Sequence, residues 1–237
     1  MSKVGVKFDD AHSYDTWGLR LKAIHIGTPE VKTAYVDIPG RMGPLDLTEA
    51  QYGGIRYGTR ELELTFDAKD CSYLQWPGLL SRVASALHGH KCKIILDIDA
   101  GYYYYGRCVV DSTKSNETSA EVVITCTCDP YKLSVSSSDE PWIWDTFNFR
   151  TGVITATNDI KVSASDDWKL VKLSGYPYNE TLKIVSNNDV QMRFGNDTYN
   201  LVSGENIMHD VELVEGENDL YFKGTATITI VHRGGVL

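Results

Sequence analysis

The chain has 237 residues, of which 42% are hydrophobic and 11% aromatic; this allows one large all-β domain or two ordinary domains and excludes a disordered chain. Residues 1–133 carry 15 Lys/Arg and 17 Asp/Glu, so residues 134–237 hold −7 of the net charge of −9. An acidic surface repels phosphate, which argues against tight nucleic-acid binding, and no apolar run approaches the length that spans a bilayer.

The first half is predicted to consist of strands and one helix. Val4–Phe8, Gly18–Ile26 and Arg60–Phe66 alternate apolar and polar residues with the two-residue period of a half-buried strand. Between residues 72 and 89 the period becomes helical, with Pro77 in the first turn and Gly89 placed to end the helix. Three more strands follow, at 92–98, 102–110 and 121–128, the first two of which we expect to form a hairpin.

A domain boundary is predicted near residue 133. Asp129-Pro130-Tyr131 breaks the last strand, because proline cannot donate to a β-ladder, and residues 134–140 are short, polar and of low complexity. Turn signals then recur about every 8–12 residues, which is typical of a β-sandwich. We therefore predict a mainly β protein, with one helix near 74–88 in domain 1–133 and a β-sandwich in domain 134–237.

The five cysteines all lie in the first half. Their odd number in a chain of this size argues against a disulfide framework and favours buried, reduced thiols. A zinc site is a weaker alternative. His88, His90 and Cys92, taken with Cys126 and Cys128, have the residue types of a zinc site, but no C-x-x-C pair or H-x3-H spacing is present. His88, at the helix end, is more simply explained as a protonated partner of the helix dipole.

The pair Asp97 and Asp99, near four consecutive tyrosines, is the best candidate for catalysis. Two carboxylates on one strand face could form a glycosidase site, although such pairs more often belong to a solvated sheet face. The sequence contains no nucleophile elbow, P-loop, dinucleotide fingerprint or metalloprotease pair. We predict a protein that is not an enzyme and that has no cofactor and no metal.

Aromatic residues of the second half are candidate contacts for a carbohydrate or a protein partner, because sugar rings stack on aromatic faces. Packing within the sandwich or at the domain junction is the alternative, and it is the one favoured. The candidates are Trp142, Trp144, Trp168, Tyr176 and Tyr178.

The segment near residues 37–60 has the features of a contact arm. It places two prolines, turn-forming glycines and a charged rim between two strand-like runs, without a nucleophile beside a base. Its candidate contact residues are Pro39, Gly40, Arg41, Gly43, Leu45, Asp46, Leu47, Tyr57 and Arg60.

The sequence resembles the siphophage distal tail protein family. The resemblance depends on these arm residues, on Phe8-Asp9-Asp10 near the start of the first domain, on the helix that ends at Gly89, and on Asp129-Pro130-Tyr131 at the end of that domain. The resemblance covers almost all of residues 1–133 and the last strand with Gly234-Gly235; between 134 and 210 it is only architectural. It implies that the first domain, barrel-like or sandwich-like, forms a hexameric ring through which DNA passes. Neighbouring copies would grip each other through the arm, in which Arg41 and Arg60 would donate hydrogen bonds to carboxylates of a neighbour.

The resemblance also implies the partners and the location. The second domain would be a galectin-like or carbohydrate-module-like sandwich, which in some members docks receptor-binding proteins and in others touches the cell surface. The protein would be a virion structural protein at the distal end of the tail, made in the host cytoplasm, part of the baseplate, and in contact with the tail tube protein and tail-tip proteins but not with a membrane. The alternative function is a carbohydrate-binding adhesion module that acts through residues 134–237.

Overall fold

The computed structural model describes residues 4–52, 54–68, 71–117, 119–136 and 159–237. Contacts divide the chain into two compact units. The first unit comprises residues 1–99 and 103–130, and the second comprises residues 100–102 and 131–237. In the described residues, no helix has the length and apolar character needed to cross a membrane.

The first unit consists of an antiparallel sheet, short helices and one long helix. The strands are β1 (Val6–Phe8), β2 (Ala11–His12), β3 (Leu19–Ile26), β4 (Tyr35–Val36), β5 (Leu45–Asp46), β6 (Arg60–Ala68), β7 (Lys91–Leu96), β8 (Tyr102–Lys114) and β9 (Ala120–Cys128). The helices are α1 (Ser13–Trp17), α2 (Thr48–Tyr52) and α3 (Trp76–Leu87), with a 3-10 turn at Asp97–Asp99. Seven strands pair in the order β3-β6-β9-β8-β7-β1-β2.

The core of the first unit follows from two periods in the sequence. Leu62, Leu64 and Phe66 of β6 alternate with outward residues and are completely buried, each stabilising the fold by about 1.5–3 kcal/mol relative to exposure. Helix α3 buries Leu79, Val83 and Leu87, which lie four residues apart on one face. The strand at 60–66, the helix and the β7–β8 hairpin are thus confirmed.

The ends of α3 confirm one sequence prediction and correct another. Pro77 lies in the first turn, and Gly89 has a φ of 79°, the left-handed conformation expected after a helix. The Nδ1 atom of His88, however, accepts a hydrogen bond of 3.1 Å from the N–H of Val110. His88 thus fastens β8 to the helix end, which differs from the predicted role of offsetting the helix dipole.

All five cysteines are buried and none forms a disulfide, as the sequence indicated. The Cys108 Sγ lies 2.7 Å from the Sγ of Cys126, its cross-strand partner, and 3.4 Å from the Sγ of Cys92. Burial raises the pKa of Cys128 to about 12. Hydrogen bonding between thiols and burial also raise the pKa of Cys92 and of Cys108. Cys92, Cys108 and Cys128 are therefore small core residues that are poor nucleophiles at neutral pH.

The second unit is built around one long strand. Its strands are β10 (Lys132–Ser134), β11 (Ile160–Gly175), β12 (Tyr178–Asn179), β13 (Leu182–Ser186), β14 (Val190–Phe194), β15 (Asp197–Leu201), β16 (Gly204–Met208), β17 (Gly216–Val231) and β18 (Gly234–Val236). Strand β17 pairs with β11 along one edge and with both β14 and β13 along the other. Strands β15 and β16 extend these edges.

The two long strands β11 and β17 are irregular at the same level. The register of β11 shifts between Ala164 and Lys169, and Gly224, which is opposite Ala164, has a φ of 132°. A bulge beside a glycine bends a strand without breaking its ladder. One ribbon can therefore serve two groups of strands, which share the buried residues Leu182, Ile184, Phe222 and Ile228.

A small sheet of β12, β18 and β10 completes the second unit. The ring of Tyr178 stacks on Tyr131 with a centroid separation of 5.0 Å. A Cβ atom at Gly234 would lie 1.8 Å from the Tyr176 ring, so only glycine fits beneath it. The strand content of both units confirms the predicted mainly β class.

Candidate assembly arm

The arm is the connection between β3 and β6, residues 28–59. Its base continues the ladder of these two strands: Gly27 donates to the carbonyl of Glu61, and Gly58 donates to the carbonyl of Glu30, both at 2.8 Å. A bridge between Val31 and Tyr57 follows. The paired base fixes the start of the arm to the core sheet, so the arm has a defined direction.

The tip of the arm is a hairpin of β4 and β5. The chain turns between them over residues 37–44, all of which are exposed. Gly40 and Gly43 have φ values of 84° and 78°, which confirms that these glycines supply turn conformations. The N–H of Arg41 donates to the carbonyl of Ile38, and in the described part of the chain its side chain forms no ion pair.

Helix α2 braces the hairpin through Thr48. This residue is buried; its Oγ1 accepts a hydrogen bond from the N–H of Ala34, and its N–H donates to Asp46 Oδ1 at 2.9 Å. Hydrogen bonding from Thr48 to the Asp46 carboxylate, first from the Thr48 side chain and then from its N–H, lowers the pKa of Asp46. Asp46 therefore holds the arm in shape, as a helix-capping carboxylate does.

Exposed apolar side chains cover the arm. Met42 is fully exposed at the tip, and more than two-fifths of each of the others is open to solvent: Val31, Tyr35, Val36, Ile38 and Ile55. Leu45, Leu47 and Tyr57 are half-buried. A group of exposed apolar residues on one projecting segment is the usual mark of an interaction surface.

Arg60 does not lie on the arm surface. Only 4% of it is exposed, its guanidinium lies 5.5 Å from the centroid of the Tyr104 ring, and its Nε has no hydrogen-bond partner in the described part of the chain. We therefore assign Arg60 to the core of the first unit and not to donation toward a neighbour. The alternation of β6 carried that signal, because Arg60 has the same parity as Leu62 and Leu64.

The carboxylates considered for catalysis are placed differently from expectation. Asp97 and Asp99 lie in the 3-10 turn and not on a strand. Asp97 Oδ2 accepts from the N–H of Gly5 at 2.7 Å and lies 3.1 Å from His12 Nε2. Asp97 thus fastens the N-terminal strand to the β7–β8 turn, which is a structural role.

The residues weighed for zinc also serve the core. Cys126 contacts Cys108, and His88 receives a backbone hydrogen bond. Within the described ranges, no group of three or more His, Cys, Asp or Glu side chains is arranged to hold a metal ion.

The aromatic candidates of the second unit fall into separate environments. Trp142 and Trp144 lie outside the described residues. Tyr178 belongs to the small sheet, and the ring of Tyr176, which precedes β12, lies beside Gly234. Trp168 instead contacts Arg193, with 4.9 Å between the guanidinium carbon and the ring centroid. Sequence reasoning missed Arg193, because nothing in the local pattern shows that strand pairing brings it beside Trp168 and Tyr221.

Comparison with solved structures identifies the class of fold. The chain matches the crystal structure of the SPP1 protein Dit (gp 19.1), described as a paradigm of the hub adsorption apparatus in phages that infect Gram-positive bacteria. The match covers 100% of both chains with a TM-score of 0.65 and 14% identity. The resemblance to siphophage distal tail proteins is therefore confirmed at the level of the fold.

Comparisons of the sequence alone found no match. No protein-family model matches the chain. No curated protein matches it either.

Proposed function

We propose that this protein is the distal tail hub of a siphophage or prophage. Six copies form a ring that joins the tail tube to the tail-tip proteins, and DNA passes through its channel. The observation that carries the proposal is the fold match, which extends over the whole of both chains and thus includes both units and not one common β-domain.

The arm supports assembly through contacts between copies. Met42, Tyr35 and Val36 are exposed to water, and covering their apolar surface in a contact lowers the free energy by about 25 cal/mol per Å². When an arm meets a different surface of the next copy, the contact is heterologous, and such contacts close into rings at the right rotation. The contact residues we propose are Pro39, Gly40, Arg41, Gly43, Leu45, Leu47 and Tyr57, with Asp46 acting through the shape of the arm.

The role is structural and not catalytic. Asp97 is better explained by the fold, because it accepts a hydrogen bond from the N–H of Gly5. The raised pKa values of Cys92, Cys108 and Cys128 make these thiols poor nucleophiles. The partners would be the tail tube protein on one face, tail-tip proteins on the other and a receptor-binding protein at the galectin-like second unit. The protein would act in the virion, at the baseplate, after synthesis in the host cytoplasm.

Negative-stain electron microscopy of the purified full chain tests the proposal. We expect rings with six-fold symmetry and a central channel at high protein concentration. Met42→Glu places a charge at the arm tip and should reduce the number of rings. Val202→Glu is the control, because Val202 is also an exposed apolar residue but lies in the second unit. A field of single particles without rings at every concentration would argue against a self-assembling hub.

A further inference from the structure

The outer face of the second unit carries a cluster of Trp168, Arg193 and Tyr221. The Arg193 guanidinium carbon lies 4.9 Å from the centroid of the Trp168 ring and 4.7 Å from that of the Tyr221 ring. Contact with two rings restricts the guanidinium and holds it in place at a small cost in side-chain entropy. All three residues are half-buried, so the cluster is partly open to solvent.

Among the described residues, nothing uses the hydrogen-bonding capacity of the Arg193 side chain. In the part of the chain that the structure describes, its side chain forms neither an ion pair nor a hydrogen bond. Cation–π contact uses the face of a guanidinium and leaves the N–H groups along its edge available. Arg233 is the contrast in the same unit, since its guanidinium donates to the carbonyl of Ser134 and lies near Glu180.

Strand register places polar and apolar groups on both sides of Arg193. In one row Thr198, Arg193, Tyr221 and Leu170 are neighbours across four strands. In the row beside it are Asn200, Gln191 and Lys223. Because Met192 and Phe222 point into the core, the alternate residues of β14 and β17 point outward.

The two rows together have the chemistry of a carbohydrate site. Leu170, which is exposed, offers apolar surface beside the Tyr221 ring. Gln191 Nε2 donates to Asn200 Oδ1 at 3.1 Å, which leaves the Gln191 carbonyl and the Asn200 amide to accept from and donate to a hydroxyl. The two rows contain two cations, Arg193 and Lys223, and the row on the other side of Tyr221 pairs Asp219 with a third, Lys172.

We propose that this face, the Arg193 face, binds a polyhydroxylated ligand, a sugar or a polyol, that carries an anionic group, a carboxylate or a phosphate. The anion would receive paired hydrogen bonds from the edge of Arg193, as planar oxyanions do from arginine. The sugar or polyol would lie over Tyr221 and Leu170, with hydroxyls on Gln191 and Asn200. The site does not depend on ring formation, since its residues all belong to one second unit.

Titration of the full chain by isothermal calorimetry tests the site with two probes. One is an oligosaccharide of hexuronic acids, and the other is a short glycerol phosphate oligomer; their neutral counterparts are hexose oligosaccharides and glycerol. We expect one anionic probe to bind and the neutral counterparts to bind at least about tenfold more weakly, because a charge-assisted hydrogen bond is lost. The probe that binds distinguishes a carboxylate from a phosphate.

Two variants separate the site from general charge effects. Arg193→Gln should weaken binding of the anionic probe by about tenfold or more, and Trp168→Ala should weaken it as well by freeing the guanidinium. Lys161→Gln removes one positive charge elsewhere in the unit and should leave binding unchanged. The melting temperature of each variant and its mass in solution, compared with the original chain, report on folding and on ring assembly independently of binding.

The outcomes are exclusive. No binding of either probe by the original chain, or equal binding by the Arg193→Gln and Lys161→Gln variants when all chains are folded, overturns the site. A chain that binds the probe but remains a monomer contradicts the hub and leaves the site intact. A chain that forms the ring but binds neither probe overturns the site and supports the hub.

Discussion

Single residues in this protein are constrained chiefly by close approach between strands. A Cβ atom at Gly106 would lie 2.6 Å from the carbonyl oxygen of Thr127 and 2.5 Å from the Sγ of Cys128. The neighbouring strand backbone cannot move aside without breaking its ladder. Gly78 differs, because a Cβ there would meet no atom within 4 Å and its position is helical.

We therefore predict opposite effects for two alanine substitutions in the same unit. Gly106→Ala should destabilise the fold by about 1–3 kcal/mol through overpacking, while Gly78→Ala should stabilise it by about 0.5–1 kcal/mol. Urea denaturation followed by circular dichroism measures both. Equal midpoints for the two variants would show that β8 and β9 are less closely packed at this position than described.

His232 should make stability depend on pH. Its ring is only 3% exposed and lies 3.3 Å from the Ser174 carbonyl oxygen. Burial, offset in part by this hydrogen bond, lowers the pKa of His232 below 6.5. Because the unfolded chain then binds the proton more readily, the stability that the neutral ring allows is present above pH 6.5 and is lost as the pH falls.

The measurement compares urea midpoints at pH 7.5, 6.5 and 5.5. The original chain should lose stability over this range with a slope of at most about 1.4 kcal/mol per pH unit from this group. His232→Gln should remove that part of the slope, and His209→Gln, at an exposed position, should not. Parallel slopes for all three chains would exclude His232 as the source.

Among the elements, the arm is the part whose removal should separate assembly from folding. Residues 37–44 are all exposed, and Val36 and Leu45 are paired at the end of the hairpin. Replacing the eight residues by Asn-Gly closes the hairpin with a two-residue turn of favoured type. We predict a change in unfolding free energy of less than about 1 kcal/mol, since no core contact is lost and shortening a loop changes its closure entropy only slightly.

The same arm variant should fail to assemble. Sedimentation velocity at matched concentrations would show a ring for the original chain and monomers for the shortened one. Arg41→Ala, a smaller change in the same turn, should weaken the ring without abolishing it. A shortened chain that still sediments as a ring would show that the arm is not the grip between copies.

At the scale of elements, sequence patterns were most informative where one period ran without interruption. The alternation in β6 and the four-residue spacing in α3 depend on burial of one face and could be predicted directly. The 3-10 turn at Asp97–Asp99 could not be predicted, because the hydrogen bond that Asp97 accepts from the N–H of Gly5 joins residues 92 positions apart. Contacts of that kind depend on tertiary structure and leave no local pattern.

The candidate sites show the same limit. The prolines and glycines identified the arm segment, but its exposure required the pairing of residues 27–32 with 56–61. Arg60 follows the strand parity of β6 and is buried, although the arm segment ends beside it in the sequence. Arg193 could be connected to Trp168 only through the register of three strands, which the sequence of short strands and turns does not specify.

For the whole molecule, the central claim is that the chain closes into a six-membered ring. Static light scattering over a wide range of protein concentrations tests it most directly, with the arm-shortened variant measured beside the original chain. We predict a plateau near 159 kDa, six times the 26.5 kDa of one chain, that the shortened variant never reaches. A mass that stays at 26.5 kDa for both chains at every concentration would contradict the account.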